Sequence, residues 1–288
     1  MTTLAIDLGG TNMRAGVVDA QGMPDHVEQS GAPRSREEFL NHVGALLERY
    51  SADRLGIGVP GLAAGTVTTW IPNLGFLDGL DLAEVFPGIS ISVGNDAQLS
   101  LLAEATAGAA RGRRHALLLS IGTGLGSAVL AEGRIVRGSR GGACSFGWAC
   151  ADPTDPGDSR NGWLERHASG TALDAAARSV GLPGGAALIA AARQGYPAAR
   201  AAIEQPMALL GTSLAGAVGL LDPEIIVITG GVAAEMDLLA PMIAAAMARQ
   251  LPGHLRQISI EAGAFGARAG LLGAGIAGRQ GADWGAID

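Results

Sequence analysis

The chain has 288 residues and a formal net charge of −7, with 48% hydrophobic and 16% charged residues. That composition supports a large buried core, excludes a disordered chain and argues against nucleic acid as the main partner. All 20 basic residues are arginine, which removes the P-loop lysine, the protein-kinase strand lysine and every Schiff-base mechanism. The two cysteines, Cys144 and Cys150, are too few for a disulfide scaffold. No signal peptide is expected before the first strand, and no uninterrupted apolar run has the length of a bilayer span. A cytoplasmic chain with no membrane partner is therefore expected.

The chain opens on two strand-like runs, Leu4–Leu8 and Ala15–Val18, within the stretch Leu4–Asp19. They flank a turn of Gly9, Gly10, Thr11 and Asn12, a hairpin signal. A polar connector is expected over Gln21–Arg36, then an amphipathic helix over Glu37–Tyr50 with Phe39, Leu40, Val43, Leu46 and Leu47 at helical spacing. Leu55–Pro60 reads as a buried strand. Gly56–Gly61 formally matches a dinucleotide fingerprint, but its glycines lie in the strand, Pro60 interrupts it and no helix opens after it. Gly65–Leu80 reads as loop, Ile89–Val93 as a strand ending at Gly94-Asn95-Asp96, and Ala97–Arg111 as a helix.

The basic run Arg111–His115 reads as a surface linker. A boundary there predicts two domains, a smaller lobe over 1–113 and a larger one over 114–288, whose last helix could pack back on the first. Ala116–Ile121 and Ser127–Ala131 are predicted strands around Gly122-Thr123-Gly124-Leu125-Gly126, and Glu132-Gly133 turns into Ile135-Val136. Gly138–Asn161 is irregular by composition. Helices are expected over Thr171–Val180, Gly185–Arg193, Pro197–Leu221, Ala234–Gln250 and Phe265–Ala277, with strands at Glu224–Thr229 and Gln257–Glu261. Each half opens with strand–turn–strand and adds helices, which implies a duplicated α/β architecture.

Three glycine turns carry the candidate chemistry. Gly9-Gly10-Thr11 and Gly122-Thr123-Gly124 each set a threonine among glycines between apolar runs. Backbone N–H groups turned inward at such a loop make a concavity for anions, and glycine lets the backbone come close. Gly230-Gly231 ends a strand of an α/β sheet, where ligands dock, and is a candidate for a nucleotide base or ribose. A plain glycine turn is the alternative reading for each; the pairing of two alike favours a polyphosphate clamp. Asp7 has the chemistry to hold a hydrated Mg²⁺ beside phosphates. Asp96, at a strand end and a helix start, is the carboxylate suited to take a proton from an alcohol, with Asn95 able to orient a sugar hydroxyl. By spacing alone both are also good helix caps.

Taken together, Ile6–Thr11, Gly58–Gly61, Pro72–Leu74, Gly94–Asp96, Gly122–Gly126, Gly162–Glu165 with Ser169-Gly170, and Gly230-Gly231 resemble the ROK family of sugar kinases, within the actin/Hsp70/hexokinase ATPase superfamily. The resemblance covers nearly the whole chain. It implies a two-lobed, actin-like (ribonuclease H-like) duplicated α/β fold with a central cleft. It also implies a glucokinase-like enzyme using ATP and Mg²⁺ to phosphorylate a hydroxyl of a hexose or hexose derivative, and a possible homodimer. Asp96 would be the general base, Asp7, Thr11 and Thr123 would surround Mg²⁺ and phosphates, and Asn73, Asn95, Asp96 and Glu165 fall on sugar-contacting positions.

Two departures stand out. The family usually has a Gly-Glu-Ile-Gly-His segment; here Cys144–Trp148 puts Ser145 in place of the Glu and Trp148 in place of the zinc-ligating His. Its cysteine-rich zinc loop aligns with Pro156–Trp163, where Pro156, Asp158 and Trp163 occupy cysteine positions, so no structural zinc is expected. Trp148 and Trp163 could fasten the loop by apolar burial instead; alternatively, Trp148 lines the sugar pocket and Ser145 makes room for a bulkier group. The loss of Glu and His leaves a second reading, a catalytically weak sugar sensor of the same fold. Direct DNA binding is not expected, because the first strand begins by Leu4.

Overall fold

The computed structural model describes residues 1–18 and 24–287. Asp19 of the opening stretch and the start of the connector at Gln21 lie outside the described residues. The chain folds into two compact units. The first is assembled from Met1–Gly112, Gly133–Cys144 and Ala267–Asp288, the second from Arg113–Glu132 and Ser145–Gly266.

The first unit holds strands β1 (Thr3–Leu8), β2 (Asn12–Val18), β3 (Pro24–Gly31), β4 (Arg54–Val59), β5 (Leu62–Ala64), β6 (Val67–Trp70), β7 (Ser90–Asn95) and β10 (Arg134–Ile135). Its helices are α1 (Arg36–Arg49), α2 (Leu82–Val85), α3 (Asp96–Ala107) and α9 (Ala269–Gln280). The main sheet runs β3-β2-β1-β4-β7. The β1–β2 and β2–β3 pairs are antiparallel, while β1, β4 and β7 are mutually parallel. Side chains alternate along β1 as a pleated strand requires. Leu4, Ile6 and Leu8 share a core with Phe39, Val43, Leu46 and Leu47 of α1. Thr3, Ala5 and Asp7 lie against glycines of α9 instead. That helix comes very close: a Cβ on Gly56 would stand 1.8 Å from Ala274 O, and one on Gly273 1.8 Å from Leu99 O.

The second unit holds β8 (Ala116–Ile121), β9 (Leu125–Ala131), β11 (Ile225–Thr229) and β12 (Ser259–Ala262). Its helices are α4 (Trp163–Ala168), α5 (Gly170–Ser179), α6 (Gly185–Arg193), α7 (Pro197–Leu221) and α8 (Met236–Gln250). Strands β9, β8, β11 and β12 lie side by side in that order. The β8–β9 pair is an antiparallel hairpin, and β11 runs parallel to both β8 and β12. Each unit thus repeats the same plan, an opening hairpin followed by parallel additions.

Several elements differ from expectation. The connector expected over Gln21–Arg36 contains β3, an edge strand whose Asp25, His26, Val27 and Gln29 are exposed, so its composition hides its pairing. The expected loop Gly65–Leu80 contains β6, paired with β5. Leu125 and Gly126 belong to β9 rather than to a loop, because Ile121 pairs directly with Leu125. Helix α3 begins at Asp96 and stops at Ala107, where the Gly108 N–H closes on Glu104 O. The last helix starts at Ala269, after a 3-10 turn at Gly266–Arg268, and runs to Gln280. Among the described residues, no helix is long and apolar enough to cross a membrane.

Candidate active site

In the first unit, the parallel register sets Asp7, Gly58 and Gly94 in one row across β1, β4 and β7. The strand ends beyond that row carry the Gly9–Asn12 turn and Asn95-Asp96. The turn is closed by the Gly9 N–H donating to Asn12 O at 2.8 Å. A Cβ on Gly10 would meet Asn73 Cβ at 3.1 Å, so the turn and Asn73 touch. A Cβ on Gly58 would lie 3.6 Å from Asp7 Oδ1 and 3.1 Å from a Leu99 methyl; glycine leaves the carboxylate room.

Asn95 is the N-cap of α3. Its Oδ1 accepts the Gln98 N–H at 2.8 Å, and Gln98 Oε1 accepts the Asn95 N–H at 3.3 Å, a complete capping box. The cap therefore engages the Asn95 acceptor, while its amide N–H₂ can still donate. Asp96 follows as the first helical residue, with Oδ1 accepting the Ala97 N–H at 2.7 Å. Solvent reaches Asp96, yet surrounding protein strips hydration from its carboxylate. That desolvation raises its pKa, and its backbone hydrogen bonds act the other way.

Asp7 has only 19% of its side chain exposed. Its pKa is raised to about 6, first by burial, then by the charge of Asp96, with Arg14 opposing both. Arg14 Nη1 stands 3.8 Å from Asp7 Oδ2 and donates to Ala267 O at 2.7 Å. Behind the carboxylate, a Cβ on Gly270 would come within 2.9 Å of Asp7 Oδ1. Neither Arg14 nor Gly270 is marked by any local sequence signal, since both act across the fold.

In the second unit, Gly122–Gly124 forms a three-residue turn closed by the Gly122 N–H donating to Gly124 O at 3.0 Å. Gly230 follows the end of β11 beside it with φ +85°, and a Cβ there would stand 2.4 Å from Ile121 O, so only glycine fits. Gly231 is exposed, with open space around its Cα. Glu165 Oε2 accepts the Leu125 N–H at 2.9 Å and lies 2.6 Å from where a Gly124 Cβ would be. Ser145 and Trp148 are exposed, on a short 3-10 turn anchored where the Phe146 N–H donates to Ser127 Oγ at 2.9 Å.

Asp7, Gly9, Gly10, Thr11, Asn12, Asn73, Asn95 and Asp96 are thus gathered in the first unit. Gly122, Thr123, Gly124, Ser145, Trp148, Glu165, Gly230 and Gly231 belong to the second. Gly56 and Gly61 of the discarded fingerprint serve packing: a Cβ on Gly61 would stand 2.2 Å from Trp70 O.

The sequence model of the ROK family matches residues 3–280. The chain belongs to the ROK family. Among curated proteins, this ROK chain is 28% identical over 311 residues to a glucokinase of Streptomyces coelicolor, covering 96% of this chain and 98% of that one. It is 31% identical over 289 residues to an N-acetylmannosamine kinase of Salmonella heidelberg, with the same coverages. Among solved structures it resembles a ROK glucokinase from Streptomyces griseus in complex with glucose and AMPPNP, with TM-score 0.80, 27% identity and coverage of 98% and 100%. The architecture is that family's actin-like ATPase fold, a mixed α/β chain built on two sheets.

Trp148 and Trp163, the two tryptophans at the family's zinc-ligand positions, part company. Trp163 is buried and stacks on His167 with ring centroids 4.6 Å apart. Trp148 keeps 45% of its surface exposed, so joint burial of both rings is not how this segment is fastened. Backbone contacts fasten it instead: the Leu164 N–H donates to Ala149 O at 3.2 Å, and a Cβ on Gly162 would sit 2.1 Å from Gly147 O. Cys144 is half-buried and Cys150 is exposed, with its thiol near Asp152 O. Among the described residues, no three His, Cys, Asp or Glu side chains form a cluster for a metal ion.

Proposed function

We propose that this protein is an ATP-dependent carbohydrate kinase that phosphorylates a hydroxyl of a hexose or hexose derivative, with Asp96 as general base. The observation that carries the reading is the grouping, in one unit, of the glycine turn Gly9–Asn12, Asn73, and two carboxylates whose charges oppose one another. Phosphoryl transfer needs alignment and charge neutralisation more than covalent help. Asp96, held by the Ala97 N–H, takes the proton of the attacking hydroxyl. Its raised pKa moves a carboxylate toward the range where it both accepts and releases a proton. Asn95, Asn73 and Glu165 orient the sugar. The turns at Gly9–Asn12 and Gly122–Gly124, with Thr11 and Thr123, receive phosphate oxygens, and Gly230-Gly231 lies against the nucleoside.

Asp7 fits a hydrated Mg²⁺. Its carboxylate is hard and oxygen-donating, and burial beside Asp96 leaves negative charge that a divalent cation relieves. Bound there with nucleotide, the ion would neutralise charge developing on the phosphates.

Asp96→Asn should leave nucleotide binding near that of the wild type and lower kcat by roughly 10²–10⁴-fold. A coupled assay across hexoses, N-acetylhexosamines and polyols measures it; unchanged turnover removes Asp96 from the mechanism. The second reading, a sugar sensor, is motivated by Ser145 and Trp148 standing where the family's Glu and His would be. Sugar binding without turnover across the whole panel would favour it.

A further inference from the structure

The turn Gly122–Gly124 is held from one side by the junction of α4 and α5. Three hydrogen bonds converge there: the Gly170 N–H donates to Gly122 O at 2.7 Å, Thr171 Oγ1 donates to Thr123 O at 2.8 Å, and Glu165 Oε2 accepts the Leu125 N–H at 2.9 Å. The junction is itself built tightly. Ser169 is buried and caps α5, and a Cβ on Gly170 would stand 2.4 Å from Gly122 O. In a planar trans peptide the C=O and the following N–H point in opposite directions. Drawing the carbonyls of Gly122 and Thr123 toward the junction therefore turns the N–H groups of Thr123 and Gly124 away from it. Successive N–H groups presented together are what an anion binds.

We propose that the α4–α5 corner is a clamp that presents the Gly122–Gly124 amides to phosphate, with Thr171 a positioning residue and Glu165 doing double duty. One Glu165 oxygen holds the turn; its remaining capacity is what the sugar-kinase reading assigns to the acceptor, and that part rests on the reading. Sugar recognition and phosphate-turn geometry then share one side chain. An acceptor that displaces Glu165 disturbs the turn, and a well-seated one stiffens it.

The test measures binding of a non-hydrolysable ATP analogue with Mg²⁺ by calorimetry in the absence of sugar, and steady-state kinetics on the best hexose found. Thr171→Val, at an exposed position, keeps the shape and removes the donor. It should weaken analogue binding roughly tenfold, the scale of one oriented hydrogen bond, without changing the KM for sugar. Thr171→Ser should restore binding. Glu165→Ala should weaken analogue binding without sugar, whereas Glu165→Gln, whose amide oxygen still accepts from Leu125, should bind it as the wild type does and lose affinity for sugar. Wild-type affinity for the analogue in both Thr171→Val and Glu165→Ala overturns the clamp. Should the wild type bind the analogue but none of the sugars tested, the binding arms still decide the clamp while the sugar role of Glu165 falls. Should it bind no analogue at all, the clamp and the kinase reading fall together.

Discussion

Asp7 shows how burial and charge set the chemistry of a single residue. Its carboxyl titrates near 3.8 in the unfolded chain and at about 6 in the folded one. Below about pH 3 it is protonated in both states and adds no pH dependence. Between about 4 and 6 only the unfolded chain gives up the proton, so stability falls as pH rises, and above about 6 the whole cost remains. The shift corresponds to about 3 kcal/mol, an order-of-magnitude figure for a side chain 19% exposed. Asp7→Asn should therefore be more stable than the wild type at pH 7 and close to it at pH 4, by denaturant titration without metal or nucleotide. Parallel pH curves for the two proteins would refute it. A carboxylate this costly to bury fits a role in ligand chemistry, since apolar packing would serve the fold better.

At the scale of elements, glycines decide how closely helices approach. In α9, a Cβ on Gly273 would be 1.8 Å from Leu99 O, and nothing flexible there can move aside. In α7, Gly216 is exposed and a Cβ would meet nothing within 4 Å. The same substitution should thus have opposite signs. Gly273→Ala should destabilise by about 1–3 kcal/mol or more through overpacking of α9 on α3. Gly216→Ala should stabilise by about 0.5–1 kcal/mol through helix propensity. Thermal unfolding of both variants checks this, and a stable Gly273→Ala protein would mean that α9 does not pack as described. Neither sign can be read from the local sequence, since both glycines sit in alanine-rich helical stretches.

Across the whole molecule, the first unit is completed from the far end of the chain. Helix α9 brings Ala269, Leu271, Leu272, Ala274 and Ala277 into burial over β1, β4 and α3. Ending the chain before Ala267 would uncover that sheet face, including Ala5, Asp7 and Gly56. The lost burial is worth several kcal/mol against a total stability of about 5–15 kcal/mol. A chain of residues 1–266 should accordingly lose the cooperative unfolding of its first unit and bind hydrophobic dyes, by calorimetry and fluorescence. Wild-type unfolding of that truncated chain would show α9 to be dispensable.

The sequence by itself determined what depends on near neighbours. The two glycine turns between apolar runs, the strand that ends at Asn95-Asp96, helix α1 and the long α7 are all written in spacing, capping and turn chemistry. These act over a few residues and leave a periodic trace. The family was legible for the same reason, since its motifs are short runs tied to local backbone shape. The edge strand β3 escaped because its polar residues face solvent and its pairing supplies the order that composition lacks. Only the tertiary structure decided that Arg14 and Gly270 frame Asp7, that Glu165 and Thr171 hold the second turn, and that Trp163 is buried while Trp148 is not. Those contacts join residues far apart in the chain, and nothing in either local stretch records the partner it will meet.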